Sequence, residues 1–213
     1  MVSEENLKQA IVDLNFSTIS DIVKEALNSG MDPVTVLDSL KSGLDRVGTL
    51  YHDKEYFLSE LFMAGETMRV ALDTLMPALS TNSQFKELGK IVIGSIEGDV
   101  HDFGKNIAKN FLTASGFTIY DLGIDVPPIK FVDEAVRVNA DVIGISAILS
   151  TTQPTSTEVV DELKARGLRD KVKVILGGTG VTQRAINEYG VDAAVNDATE
   201  GVNIIKKWMM GRN

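Results

Sequence analysis

Lys90-Ile91-Val92-Ile93-Gly94-Ser95-Ile96-Glu97-Gly98-Asp99-Val100-His101-Asp102-Phe103-Gly104 is the stretch that settles the fold class. Residues 91–96 form a short, β-rich and nearly continuous apolar run, as expected of a strand covered on both faces. A polar loop with glycines at 98 and 104 follows, and the apolar spacing then turns helical over 104–115. The same strand–loop–helix unit recurs downstream. Strands are predicted at 118–122, 142–146, 172–176 and 193–195, and helices at 129–139, 154–166, 181–189 and 200–210.

Five such units imply an open parallel sheet with helices on both faces, an α/β domain of the flavodoxin-like (Rossmann-like) type, with strand order 2-1-3-4-5. Upstream, the first ~85 residues read as helix throughout. Leu7, Ile11 and Leu14 recur at helical spacing, and Ser17 is placed to cap a second helix through Ile19, Ile22, Val23 and Ala26, which Gly30 would stop. Asp32-Pro33 is a cap followed by proline at the first helical position, opening a helix with Val36, Leu37, Leu40, Leu44 and Val47 on one face. A fourth helix over 57–79 carries the stripe Leu58, Leu61, Phe62, Gly65, Met68, Leu72, Leu75 and Met76. The expectation is a four-helix antiparallel bundle over 1–88, a polar linker at 80–84, and the α/β domain over 89–213.

The composition removes whole classes of function. With no cysteine among 213 residues there is no disulfide framework, thiolate zinc site, iron–sulfur cluster or Cys nucleophile. A net charge of −9 gives no electrostatic help toward nucleic acid or anionic lipid. No apolar run approaches the ~20 residues of a membrane span, and the polar, acidic N-terminus does not read as a signal peptide. A soluble, cytoplasmic protein that binds neither nucleic acid nor membrane is expected.

In an open parallel sheet, ligands bind beyond the carboxyl ends of the strands near the switch in strand order, here between strands one and three. The first loop holds one of only two histidines. Asp99 and His101 are two apart, so in extended chain they face the same way and the carboxylate can reach the imidazole. Such a partner fixes the tautomer and leaves the other ring nitrogen a better ligand. A solvated loop histidine would look the same in sequence. The loop after strand three, Ser146-Ala147-Ile148-Leu149-Ser150-Thr151-Thr152, is small and rich in hydroxyls; it fits either helix capping or the lining of a slot. After strand four, Gly177-Gly178-Thr179-Gly180 has more glycine than a turn needs, so a ligand or another backbone must pass close by. A receiver domain would need an Asp where Ser146 ends strand three, and a flavodoxin would need a hydroxyl-rich loop where Asp99 and His101 stand.

Taken together, these loops resemble the cobalamin-binding domain of corrinoid proteins and of cobalamin-dependent methionine synthase, whose pattern is D-x-H-x-x-G, then S-x-L, then G-G. Here it reads Asp99-Val100-His101-Asp102-Phe103-Gly104, then Ser146-Ala147-Ile148, then Gly177-Gly178, with intervals of 41 and 28 residues. Ile148 stands where leucine is usual, a change conservative in volume. The helical half resembles that family's cap, so the likeness covers nearly the whole chain. It implies that His101 displaces the cofactor's dimethylbenzimidazole and ligates cobalt, with Asp99 bonded to His101 and Thr152 at the place of a relay serine. It implies cofactor contacts from Gly98, Asp102, Gly104, Ser146, Ile148, Ser150, Gly177, Gly178 and Thr179, and cap contacts from Tyr51 and Leu58. His52 reads as a surface residue.

The resemblance further implies a methyl carrier loaded with cobalamin (methylcobalamin or a related corrinoid) and not catalytic by itself. Its partners would be a substrate-specific methyltransferase, an acceptor methyltransferase acting on tetrahydrofolate, a tetrahydropterin or a thiol, and a reductive activase. General similarity of the C-terminal half favours an aryl methyl ether donor, as in an O-demethylase system, with methylamine, methanol and betaine as alternatives. A mutase subunit or a cobalamin-sensing regulator is the more distant alternative; the N-terminal half is neither basic nor helix-turn-helix in pattern.

Overall fold

The computed structural model describes residues 2–82 and 87–211. The chain divides into two compact units, Met1–Lys86 with Thr113–Ser115, and Glu87–Leu112 with Gly116–Asn213. Ser83 and Gln84 of the expected linker lie outside the described residues.

The first unit holds four helices, α1 (Glu4–Val12), α2 (Ile19–Asn28), α3 (Pro33–His52) and α4 (Leu58–Leu79). Asp32 caps α3 as the sequence predicts, its Oδ2 accepting from Val34 N at 3.0 Å and Thr35 N at 3.3 Å. Gly30 stops α2 in a left-handed conformation, with Gly30 N donating to Leu27 O and Met31 N to Ala26 O, a Schellman pattern. Two local expectations fail. The cap of α2 is Thr18, not Ser17. Leu14 lies past the end of α1 at φ 57° instead of continuing it. Leu7, Ile11, Leu40, Val47, Leu61, Met68 and Leu75 make the core. Of the predicted α4 stripe, Leu58 and Met76 are exposed: Leu58 precedes the first buried residue, Leu61, and Met76 falls beside a buried face that runs on through Leu75 to Leu79.

The second unit is a five-stranded parallel sheet, β1 (Gly89–Ser95), β2 (Phe117–Asp121), β3 (Val142–Ser146), β4 (Lys173–Gly177) and β5 (Ala193–Val195), in the order β2-β1-β3-β4-β5. Its helices are α5 (Phe103–Ala114), α6 (Pro128–Val138), α7 (Ser156–Ala165), α8 (Arg184–Tyr189) and α9 (Ala198–Met210). The continuous apolar strands are buried as expected, and all five residues of β3 are buried. Val92, Ile143, Val174 and Leu176 pack with Phe131, Val159, Val160 and Leu163 in one cluster.

The differences from expectation fall at the carboxyl edge. A 3-10 turn over Gln153–Thr155 delays α7 to Ser156. Residues 178–183 remain loop ahead of α8. Gly177 is the last residue of β4 instead of the first of its loop, and it pairs with both Ser146 and Val195. Asp197 starts α9 early by accepting from Thr199 N at 2.7 Å and Glu200 N at 3.2 Å. The register sets Ser95 opposite Ser146 and Ser146 opposite Gly177, so the loops leaving β1, β3 and β4 rise side by side.

Candidate cofactor site

Between β1 and α5 the chain must turn before the helix begins, and Asp99 organises that turn. Asp99 is completely buried yet charged, which is tolerable only if the carboxylate is fully hydrogen-bonded. Its Oδ1 accepts from His101 Nδ1 at 2.8 Å and His101 N at 3.0 Å. Its Oδ2 accepts from Ile148 N at 2.7 Å and Leu149 N at 3.2 Å, across the gap to the β3 loop. Burial by itself would raise the Asp99 pKa; the His101 backbone and ring, with the Leu149 and Ile148 amides, outweigh it and hold the carboxyl below its ordinary value.

An ionised carboxylate accepts and never donates, so the proton of His101 sits on Nδ1. Nε2 then carries the free lone pair, and it has no hydrogen-bond partner among the described residues. The His101 side chain is 49% exposed. Its main chain is pinned as well, for Ser95 Oγ at the end of β1 donates to His101 O at 2.6 Å. The result is an oriented, outward-facing imidazole in its ligating tautomer.

The other residues singled out from the sequence divide. Gly98 donates its N–H to Asp125 Oδ1 at 2.7 Å. Asp102 accepts from Asn106 N and, through Oδ2, from Asn106 Nδ2 at 3.1 Å, so it holds the first turn of α5. Gly104 has open space around it. Ser146 is buried, while Ser150 and Thr179 are exposed. Of the two alternatives for the glycine loop, Gly178 answers with backbone. A Cβ there would collide with Ala147 O, so the β3 and β4 loops touch main chain to main chain.

Thr152 does not reach Asp99: its hydroxyl donates instead to Leu149 O at 2.9 Å, closing the β3 loop on itself. Thr152 at the place of a relay serine leaves a hydroxyl relay either kept or altered, and here it is altered: the Ile148 and Leu149 amides occupy the second carboxylate oxygen. Tyr51 and Leu58 belong to the helical unit, Tyr51 half-buried near the end of α3 and Leu58 exposed at the start of α4. His52 is exposed, as read.

The sequence reading missed Ser95, Asp125 and Gln153. Ser95 was signalled by a hydroxyl in an otherwise apolar strand. Asp125, at φ 54°, fastens the β2 loop to the His101 loop through Gly98 N and through its own N–H to Asp99 O at 3.1 Å. Nothing local marks it. Gln153 is buried and its Nε2 lacks a partner among the described residues. Next to the site, buried Lys105 puts Nζ 2.8 and 3.0 Å from the Asp121 oxygens, and Lys109 adds a third contact at 2.8 Å.

Among the described residues no three His, Cys, Asp or Glu side chains gather to hold an ion. One imidazole does not hold a free metal ion, but it suits a metal that arrives with its other positions already filled by a macrocycle. A lone ligating histidine, with the buried, unpaired Nε2 of Gln153 near the adjoining loops, fits a corrinoid with an extended polar arm.

The comparisons with known proteins agree. Residues 89–205 match the B12 binding domain family, and residues 3–76 match a second family described as a B12 binding domain. The chain is 37% identical to dimethylamine corrinoid protein 2 of Methanosarcina acetivorans, with 100% of both chains covered. It is similar to a crystal structure of a cobalamin-binding protein from Desulfitobacterium hafniense, with 35% identity, TM-score 0.80, and 98% and 99% of the two chains covered. It is also similar to a chain of the methanol:cobalamin methyltransferase complex of Methanosarcina barkeri, with 26% identity, TM-score 0.82, and 97% and 79% covered. This chain belongs to the B12-binding family of corrinoid proteins, which carry methyl groups in methyltransferase systems, and its cofactor is a corrinoid. No helix among the described residues is long and apolar enough to cross a membrane.

Proposed function

We propose that this protein holds its corrinoid with the cofactor's own lower base displaced and His101 Nε2 as the axial ligand, and carries a methyl group from a methylamine-class methyltransferase to an acceptor methyltransferase. The observation that carries the reading is the Asp99–His101 bond of 2.8 Å, made by a wholly buried carboxylate to a half-exposed ring. When bound, the corrinoid's cobalt supplies the chemistry, taking a methyl group and giving it up. The chain's own part is to present Nε2 and to set its basicity through Asp99. Ser95 and Asp125 hold the loop so that the His101 ring would keep its orientation toward the corrinoid.

Support for the donor class comes from the whole-length likeness to a dimethylamine corrinoid protein; nothing in the comparisons supports the aryl methyl ether donor expected from the sequence. Each methyltransferase must reach the same exposed edge, so the partners take turns. Tyr51 and Leu58 would shield the methyl group from water between visits; in Leu58→Ala, faster air oxidation of the reduced protein supports this, and an unchanged rate refutes it.

The axial assignment is tested by reconstituting the protein with cobalamin and recording absorbance and cobalt(II) EPR with 15N-histidine label. Nitrogen coupling that changes on labelling and vanishes in His101→Ala is expected. Coupling to the unlabelled benzimidazole in the wild type would overturn it. The donor is tested by supplying the protein with a dimethylamine-specific methyltransferase or an aryl ether demethylase; cobalt methylation with the second and not the first would reverse the choice.

A further inference from the structure

Gln153 opens the 3-10 turn that follows the β3 loop. It is 6% exposed, and its Nε2 is a buried side-chain atom with no hydrogen-bond partner among the described residues. A Cβ placed on Gly180 would lie 3.5 Å from that nitrogen and 3.4 Å from Ile148 O. The amide therefore sits where the β3 loop meets the glycine loop of β4, one strand beyond His101. A buried donor left unpaired is costly, and a leucine of similar volume would fill the place without that cost. Among the described residues no acceptor uses this nitrogen.

The wide, flat ring of a corrinoid must lie where His101 is, at the open edge, and cannot enter a space that leaves Gln153 6% exposed. A slender arm can. We infer that Gln153 Nε2 donates a hydrogen bond to an acceptor of the corrinoid's nucleotide arm, which makes Gln153 a binding residue for the arm and not for the ring. The inference rests on the displaced-base reading above, which frees the arm to enter the loops.

The test compares two probes, hydroxocobalamin and aquocobinamide, which has the same ring but lacks the nucleotide. Binding to the full chain is titrated by absorbance, and ligand-free stability by thermal melting. In Gln153→Leu, cobalamin affinity is expected to fall between about two- and tenfold, the worth of one hydrogen bond, while cobinamide affinity stays unchanged. The ligand-free Leu variant is expected to melt at a higher temperature than wild type, since the unpaired donor is gone; a merely structural glutamine would give the opposite shift.

Gln153→Ala serves as a second variant, read by the ratio of the two affinities, which must fall as it does for Leu. Equal losses for both probes, or no loss for cobalamin, overturn the inference. If wild type keeps benzimidazole on cobalt, the displaced-base reading fails and this inference with it. If the base is displaced and the affinity ratio ignores Gln153, only this inference fails.

Discussion

Asp99 is bonded on both oxygens, and that decides what its substitution does. In Asp99→Asn the amide oxygen is drawn to the Ile148 and Leu149 N–H groups, which need an acceptor. The Asn NH2 then faces His101 Nδ1 and forces the ring proton onto Nε2, the atom required for ligation. Cobalamin should stay bound while axial ligation weakens about 10–100-fold, seen as a shifted pH for loss of the lower ligand in the absorbance spectrum. Thr152→Val should leave that pH unchanged, since Thr152 bonds Leu149 O and not Asp99; its cost is about 1 kcal/mol of stability. A shift in Thr152→Val as large as in Asp99→Asn would restore the hydroxyl relay. The Asp99–His101 pair was legible because it is local, two residues apart. The Ile148 and Leu149 amides were not, since every residue has an amide and these lie 49 and 50 positions away.

Helix α3 carries two glycines whose sequence contexts look alike and whose surroundings differ. A Cβ on Gly43 would lie 2.5 Å from Lys8 O and 2.9 Å from Ile11 Cβ, so α1 and α3 cross in near backbone contact there. A Cβ on Gly48 would meet nothing within 4 Å. Gly48→Ala should therefore raise the melting temperature, by up to ~1 kcal/mol of helix propensity. Gly43→Ala gains the same propensity but overpacks against a carbonyl that has no rotamer to escape into, a cost of roughly 1–3 kcal/mol or more, so it should melt lower. Melts of the same sign for both variants would refute the crossing geometry. Helix identity, the Asp32 cap and the Gly30 stop could be read from sequence because each is set within a few residues. Which glycine marks the crossing, and that Leu58 and Met76 fall off the buried stripe, depend on where a second helix lies.

Over the whole molecule, three partly or wholly buried aspartates of the α/β unit, Asp99, Asp121 and Asp192, are held below their ordinary value of 3.8. In each, burial works in the opposite direction and is outweighed: at Asp99 by His101 and the amides, at Asp121 by Lys105, Lys109 and Gly123 N, and at Asp192 by Lys173, Val174 N and Arg169. A depressed folded pKa adds stability that is fully present above the unfolded value and is lost as pH falls through it toward the folded one. Denaturant midpoints should thus hold steady above about pH 5 and drop from about pH 4 downward. The acid drop should be shallower in Asp99→Asn, which has no proton to take up at that position. A slope identical to wild type would show that folding leaves the proton affinity of Asp99 unchanged.

The sequence by itself determined the elements, the parallel sheet and its order, and the three loops that carry the site. Each of these follows from periodicity, local capping and the rule that ligands bind at the carboxyl ends of parallel strands. Tertiary structure alone decided how those loops join: Asp99 tied to the β3 loop instead of to Thr152, Asp125 fastened to Gly98, Gly178 pressed against Ala147 O, and Gln153 left without a partner. The physical reason is that these links are made by backbone amides, carbonyls and close approaches between segments far apart in the chain. Their partners are chosen by register and packing, and residue type records neither.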